Sequence, residues 1–214
     1  LKKIKVGNEN QNVFFTSDTH FQHKNIMKYC DRAFNTTEEM DEKMIRNWNK
    51  VVGSNDIVFH LGDFIFHRTN NVTRQKEETT AFLSSLNGKK HLVIGNHDGR
   101  GTRNADGWED VHDMLQVKCF GEQSIILCHY AMVVGRSSHH GYWHLFGHSH
   151  GTLGRVDDFH SGQSAVAELL KVRKAFDVGV DSWNYTPLSF EQVKDVMSQK
   201  EESNVDHHQP RTNG

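Results

Sequence analysis

Residues 143–150 read Trp-His-Leu-Phe-Gly-His-Ser-His. An apolar run of strand length breaks at Gly147 and is followed at once by His148 and His150, two imidazoles separated by one serine. Four other stretches repeat this grammar: VFFTSDTH (13–20), DIVFHLGD (56–63), HLVIGNHD (91–98) and SIILCHYA (124–131). Each has an apolar run rich in Val, Ile, Leu and Phe, followed closely by Asp, Asn or His. Such runs, interleaved with helical segments, predict the buried strands of an α/β protein. Ligands of open α/β sheets sit beyond the carboxyl ends of the strands, so five polar strand ends point at one crevice.

Helical segments are marked by their caps. Thr36 with Glu39 reads as a capping box, followed by Met40, Met44, Ile45 and Trp48 at helical spacing. A second helix is predicted from about Thr73 to Leu86, stopped by Asn87-Gly88. A third starts at Ser189, with Gln192 three residues on and Phe190, Val193 and Met197 as its apolar stripe. The chain of 214 residues suits one domain, taken as 1–199, with a polar stretch at 200–214 read as a disordered tail in which His207 and His208 have no assigned role.

Composition excludes some classes. With 25 basic and 27 acidic residues, no overall field favours nucleic acid or a membrane. No apolar stretch approaches the ~20 residues of a membrane helix. The three cysteines, Cys30, Cys119 and Cys128, form no C-x-x-C pair and predict reduced thiols and a cytoplasmic location. Sixteen histidines are the compositional oddity and direct attention to metal ligands.

The groups at the strand ends are Asp18 and His20; Asp63; Asn96, His97 and Asp98; His129; and His148 and His150. In an extended segment a spacing of two puts both side chains on one side, so Asp18 with His20, and His148 with His150, are each expected to share a space. Without a cation such a cluster would be a costly assembly of desolvated polar groups. Its carboxylate, imidazole and amide donors, with no thiolate, suit Mn²⁺ first, and also Fe, Co²⁺, Ni²⁺ or Zn²⁺.

SDTH, LGDF, GNHD, CHY and GHSH, in this order, resemble the signature blocks of the calcineurin-like metallophosphoesterase superfamily. The segment FDVGVDSWNYTPLSFEQV (176–193) resembles the closing part of its short bacterial and phage-type members. The resemblance implies a four-layer αββα sandwich of two mixed β-sheets flanked by helices. It also implies that Asp18, His20, Asp63 and His150 hold one metal ion and that Asp63, Asn96, His129 and His148 hold a second. His148 and His150 would then serve different ions from neighbouring positions. Two ions ~3.5–4 Å apart can share a water and bring its pKa towards neutrality. The expected activity is hydrolysis of a phosphomonoester or phosphodiester by a metal-bridging hydroxide, with His97 protonating the leaving group and Asp98 orienting His97.

His23, Arg32, His67, Arg68 and Arg100 follow the clusters and are candidates for a phosphate-binding rim, whereas His60, His91, His112, His139, His140, His144 and His160 read as structural. Residues 151–176 read either as part of that rim or as a contact surface. The chain lacks the Asp-Arg-Gly run of the superfamily's protein phosphatases, since its second block reads GDFIFHRTN. The expected partner is therefore a small phosphate ester, a nucleotide or a nucleic-acid end, with no membrane. The alternative is a scaffold that keeps the fold without the chemistry. An amide- or lactone-cleaving metallohydrolase would carry histidine-led motifs instead.

Overall fold

A computed structural model describes residues 1–134, 136, 140–153, 170 and 173–200. Among the described residues ten strands form two mixed sheets of five. One contains β1 (Lys2–Val6), β6 (Met114–Cys119), β7 (Gln123–Cys128), β8 (Trp143–Phe146) and β9 (Ala175–Asp177), in the order β1-β6-β7-β8-β9. The other contains β2 (Val13–Thr16), β3 (Ile57–His60), β4 (Lys89–Val93), β5 (Trp108–His112) and β10 (Leu188–Ser189), in the order β10-β2-β3-β4-β5. Within them β2, β3, β4 and β5 run parallel, as do β7, β8 and β9. The carboxyl ends that carry the polar clusters therefore share a direction within each sheet.

Burial on both faces explains why these strands read as continuous apolar runs. In β2, Val13 and Phe15 join the core between the sheets, together with Phe59, Leu115, Ile125, Leu127 and Leu145. Phe14 faces the other way, into a second core shared with Val58, Met40, Met44, Trp48 and Leu83. The last four belong to α2 (Thr37–Val51) and α3 (Val72–Ser85), which cover this sheet. Three further helices are α1 (Lys24–Tyr29), the short α4 (Arg100–Arg103) and α5 (Phe190–Ser198). The architecture is the helix-flanked, two-sheet α/β sandwich expected from the sequence.

The caps behave as local chemistry dictates, with one difference. Ser189 and Gln192 form the reciprocal capping box of α5. At α2 the Thr36 side chain accepts from Glu39 N at 3.1 Å, but the Glu39 carboxylate reaches past Thr36 to the backbone N–H of Asn35 at 2.9 Å. The box is only half formed. The second helix starts at Val72, one residue early, because the Asn71 side chain takes the cap position by accepting from Arg74 N.

All of the tail expected at 200–214 except Lys200 lies outside the described residues, as do His139, His160, His207 and His208 and most of 151–176. No helix among the described residues is long and apolar enough to cross a membrane.

Candidate metal centre

Beyond Thr16 the chain leaves β2 and enters a loop held against the loop after β3. Asp18 N donates to Gly62 O at 2.9 Å and His20 N to Asp63 O at 3.0 Å. Here the expected geometry needs correction. Asp18 (φ 57°) and His20 (φ 47°) are not extended but left-handed, and so are Asp63 (57°), His148 (69°) and His150 (48°). Five of the seven candidate ligands thus occupy a backbone region that costs a non-glycine residue of order 1–3 kcal/mol. The surroundings hold it in place. In four of the five the N–H is bound: Asp18 and His20 as above, Asp63 N to Asp98 Oδ2 at 2.9 Å, and His148 N to both Asp18 oxygens at 3.0 Å. The two-residue spacing brings the pairs together through paired left-handed turns rather than through strand alternation.

The structure gathers the predicted ligands into two clusters. Donor atoms of Asp18, His20 and His150 lie within 4.8 Å of one another, as do those of Asp63, His129 and His148. Asn96 joins the second cluster: its Oδ1 is 3.0 Å from His129 Nε2 and 2.9 Å from His148 Nδ1. Asp63 lies between the clusters, with Oδ2 3.5 Å from His20 Nε2 and 3.6 Å from His129 Nε2. All seven residues predicted as ligands are therefore brought together.

These residues fit divalent cations. At metal–ligand distances of about 2.1 Å, neighbouring ligand atoms lie roughly 3.0–3.4 Å apart, close to the separations seen here. Both ring nitrogens of the buried His20 lack a hydrogen-bond partner, an arrangement that costs free energy unless something else engages them. Burial pushes the Asp18 carboxyl up to about 8, and burial followed by the neighbouring His150 drives His20 far down. A cation would relieve both strains. His129 Nδ1 lies 2.7 Å from Leu61 O, which fixes the proton there and leaves Nε2 facing the cluster.

The close approach of these loops explains two glycines. A Cβ on Gly147 would sit 2.2 Å from Ser17 Oγ and 2.6 Å from Asp18 Oδ2, and one on Gly95 2.3 Å from Asp63 Oδ1. Gly147→Ala should destabilise the fold by about 1–3 kcal/mol through overpacking, seen as a lower thermal midpoint. Gly99→Ala, which meets only Gln75 Oε1 at 3.8 Å, should leave the midpoint nearly unchanged.

Several expected roles are corrected. Asp98 does not orient His97. Its buried carboxylate accepts from the backbone of Asp63, Phe64 and Gly95, so it ties the two loops together. Arg32 is not on the rim, because its side chain is fully buried against Asp181. The His67 side chain is buried and faces Glu78 and Thr102. Arg68 and Arg100 are exposed, and half-buried His23 presents its ring to the centre, 5.4 Å ring to ring from His20. His97 is exposed and edge-on to His20 at 5.4 Å, with its backbone N–H donating to Asp63 Oδ1 at 2.8 Å. His60, His91 and His144 face Thr19, Asp110 and Ile126 O, in keeping with structural roles.

Asp177 and Asp181 were not singled out from the sequence. Asp177 accepts from Gly151 N and Gly179 N, and Asp181 Oδ2 lies 2.7 Å from His150 Nδ1. Burial alone would lower His150, but Asp181, Cys30 and Asp18 together push it up to about 10. The signal was available: Ala175–Asp181 repeats the grammar of an apolar strand followed by Gly and Asp.

Comparison with known proteins identifies the family of the chain. The family model for calcineurin-like phosphoesterases matches residues 12–183. An uncharacterized protein of Methanocaldococcus jannaschii is 32% identical over 181 residues, covering 85% of this chain and 88% of its own length. The Gene 66 protein of Mycobacterium phage L5 is 26% identical, covering 87% of this chain and 94% of its own. In fold, the chain resembles a crystal structure of a protein of unknown function from Aquifex aeolicus, with a TM-score of 0.62 at 21% identity, covering 87% of this chain and all of that one. The chain belongs to the calcineurin-like phosphoesterase family.

Proposed function

We propose that this protein hydrolyses phosphate esters at a centre of two divalent cations, manganese being the first expectation. Asp18, His20 and His150 would hold one ion; Asn96, His129 and His148 would hold the other; Asp63 would contact both. The observation that carries this reading is the position of Asp63 Oδ2, 3.5 and 3.6 Å from a histidine of each cluster. When bound, the ions supply an activated water and neutralise the phosphate oxygens. The chain's own residues do the rest. The strained loops hold the donors in place before substrate arrives, so little reorganisation accompanies the reaction. His97 presents an exposed imidazole beside the centre, anchored through its backbone to Asp63, and would hand a proton to the departing oxygen.

Ring geometry favours a diester, or a monoester with a planar organic group. The exposed large aromatic side chains among the described residues are Tyr29, Phe66 and Tyr130. Phe66 stacks on His23 at 4.3 Å and Tyr29 meets the same ring edge-on at 6.3 Å. Tyr130 contacts His129 at 5.0 Å and His148 at 4.8 Å. Rings therefore flank both clusters, and a planar group on the ester can pack against them.

The test is hydrolysis of p-nitrophenyl phosphate and bis-p-nitrophenyl phosphate by protein stripped with EDTA and reloaded with Mn²⁺, Ni²⁺ or Zn²⁺. Turnover should be absent in the stripped protein and return with metal, and the preferred ester identifies the substrate class. Two bound ions with no turnover of either ester would instead support the non-catalytic scaffold.

A further inference from the structure

Arg32 and Asp181 are 149 residues apart and form a buried, two-pronged ion pair. Arg32 Nε donates to Asp181 Oδ1 at 2.7 Å and Nη2 to Oδ2 at 2.9 Å. The guanidinium does more than neutralise this carboxylate. Nη2 also donates to Asp18 O at 2.7 Å, and Nη1 to Thr19 O at 2.9 Å and towards Met40 Sδ at 3.5 Å. Arg32 thus spends its five N–H groups on one carboxylate, the backbone of the left-handed Asp18–His20 turn, and a methionine of α2. Asp181 in turn reaches His150 Nδ1 at 2.7 Å. Cys30, His150 and Asp181 also bring donor atoms within 4.8 Å. However, the Arg32 guanidinium lies against both Asp181 oxygens and its positive charge repels a cation there, so the trio acts as a brace and not as a third cation site.

We propose that the Arg32–Asp181 pair is the positioning device of the first cation site, an inference that rests on the two-cation reading above. Asp181 keeps the proton of His150 on Nδ1, leaving Nε2 as the nitrogen free to bind metal. Arg32 fixes Asp181 and, through the same guanidinium, the turn that carries Asp18 and His20. Three ligands from distant parts of the chain are set by one ion pair. The second cluster meets it only at one remove, through the His148 N–H on the Asp18 carboxylate, while His129 is held by Leu61 O and His148 Nδ1 adjoins Asn96. Loss of the pair should therefore act chiefly on the first site.

The experiment is calorimetric titration of Mn²⁺ into metal-free wild type and Asp181→Asn, with the tautomer of His150 read by long-range ¹H–¹⁵N NMR in the Zn²⁺-loaded proteins. The wild type should bind two ions and show a protonated Nδ1 on His150. In Asp181→Asn one of the two affinities should fall by roughly 10–100-fold, the other should hold, and the Nδ1 proton signal should be lost. Because Asp181→Asn leaves Arg32 buried without its counter-charge, the double variant Arg32→Gln with Asp181→Asn carries the same test if the single variant does not fold. Two unchanged affinities and an unchanged tautomer would overturn the inference and leave the two-cation centre intact. A wild type that binds no ion would overturn both.

Discussion

Replacing Asp63 with asparagine should cost most of the activity, with turnover falling about 10²–10³-fold, the scale of loss when one charge-stabilising group leaves a preorganised site. Asparagine keeps the volume and an oxygen able to accept the His97 N–H now bound at 2.8 Å, so the fold should survive, as far-UV circular dichroism would report. What it loses is the negative charge at Oδ2, between His20 and His129. With that charge gone, two cations have no shared anionic ligand, and their mutual repulsion is no longer offset. Asp63→Asn should therefore bind fewer than two ions per chain. Full activity in this variant would remove Asp63 from the centre.

His97→Ala should separate metal binding from proton transfer. His97 belongs to neither cluster of donor atoms, and its ring is exposed beside His20. The variant should retain both ions yet lose about 10²–10⁴-fold in kcat on esters with alkyl leaving groups, which depart as strongly basic alkoxides. On p-nitrophenyl esters the loss should be much smaller, since p-nitrophenolate leaves without a proton. Equal losses on both substrate types would point to a role in binding. No loss on either would reduce His97 to a loop residue.

The parts of this site that were legible in the sequence were those written locally. Each of five strands is buried on both faces, so it appears as an apolar run, and the residues that follow it at the sheet edge are the polar cluster. The seven candidate ligands and His97 could be found in this way. Strands β1, KKIKV, and β6, MLQVKC, carry outward-facing lysines that interrupt the apolar signal. These strands were missed for that reason.

The rest depends on tertiary packing. No local pattern announces that Asp18, His20, Asp63, His148 and His150 take left-handed backbone, because the strain is held by hydrogen bonds between loops. Arg32 reads as a surface arginine until Asp181 is folded against it. Asp98 looks like a partner for its neighbour His97, but the backbone of Asp63, Phe64 and Gly95 claims its oxygens first.

The central claim is a centre built for two cations, and counting them tests it most directly. Metal-free protein dialysed to equilibrium against Mn²⁺ and assayed by mass spectrometry should carry two ions per chain, with His148→Ala carrying one. Zero or one ion on the wild type, across Mn²⁺, Ni²⁺ and Zn²⁺, would contradict it.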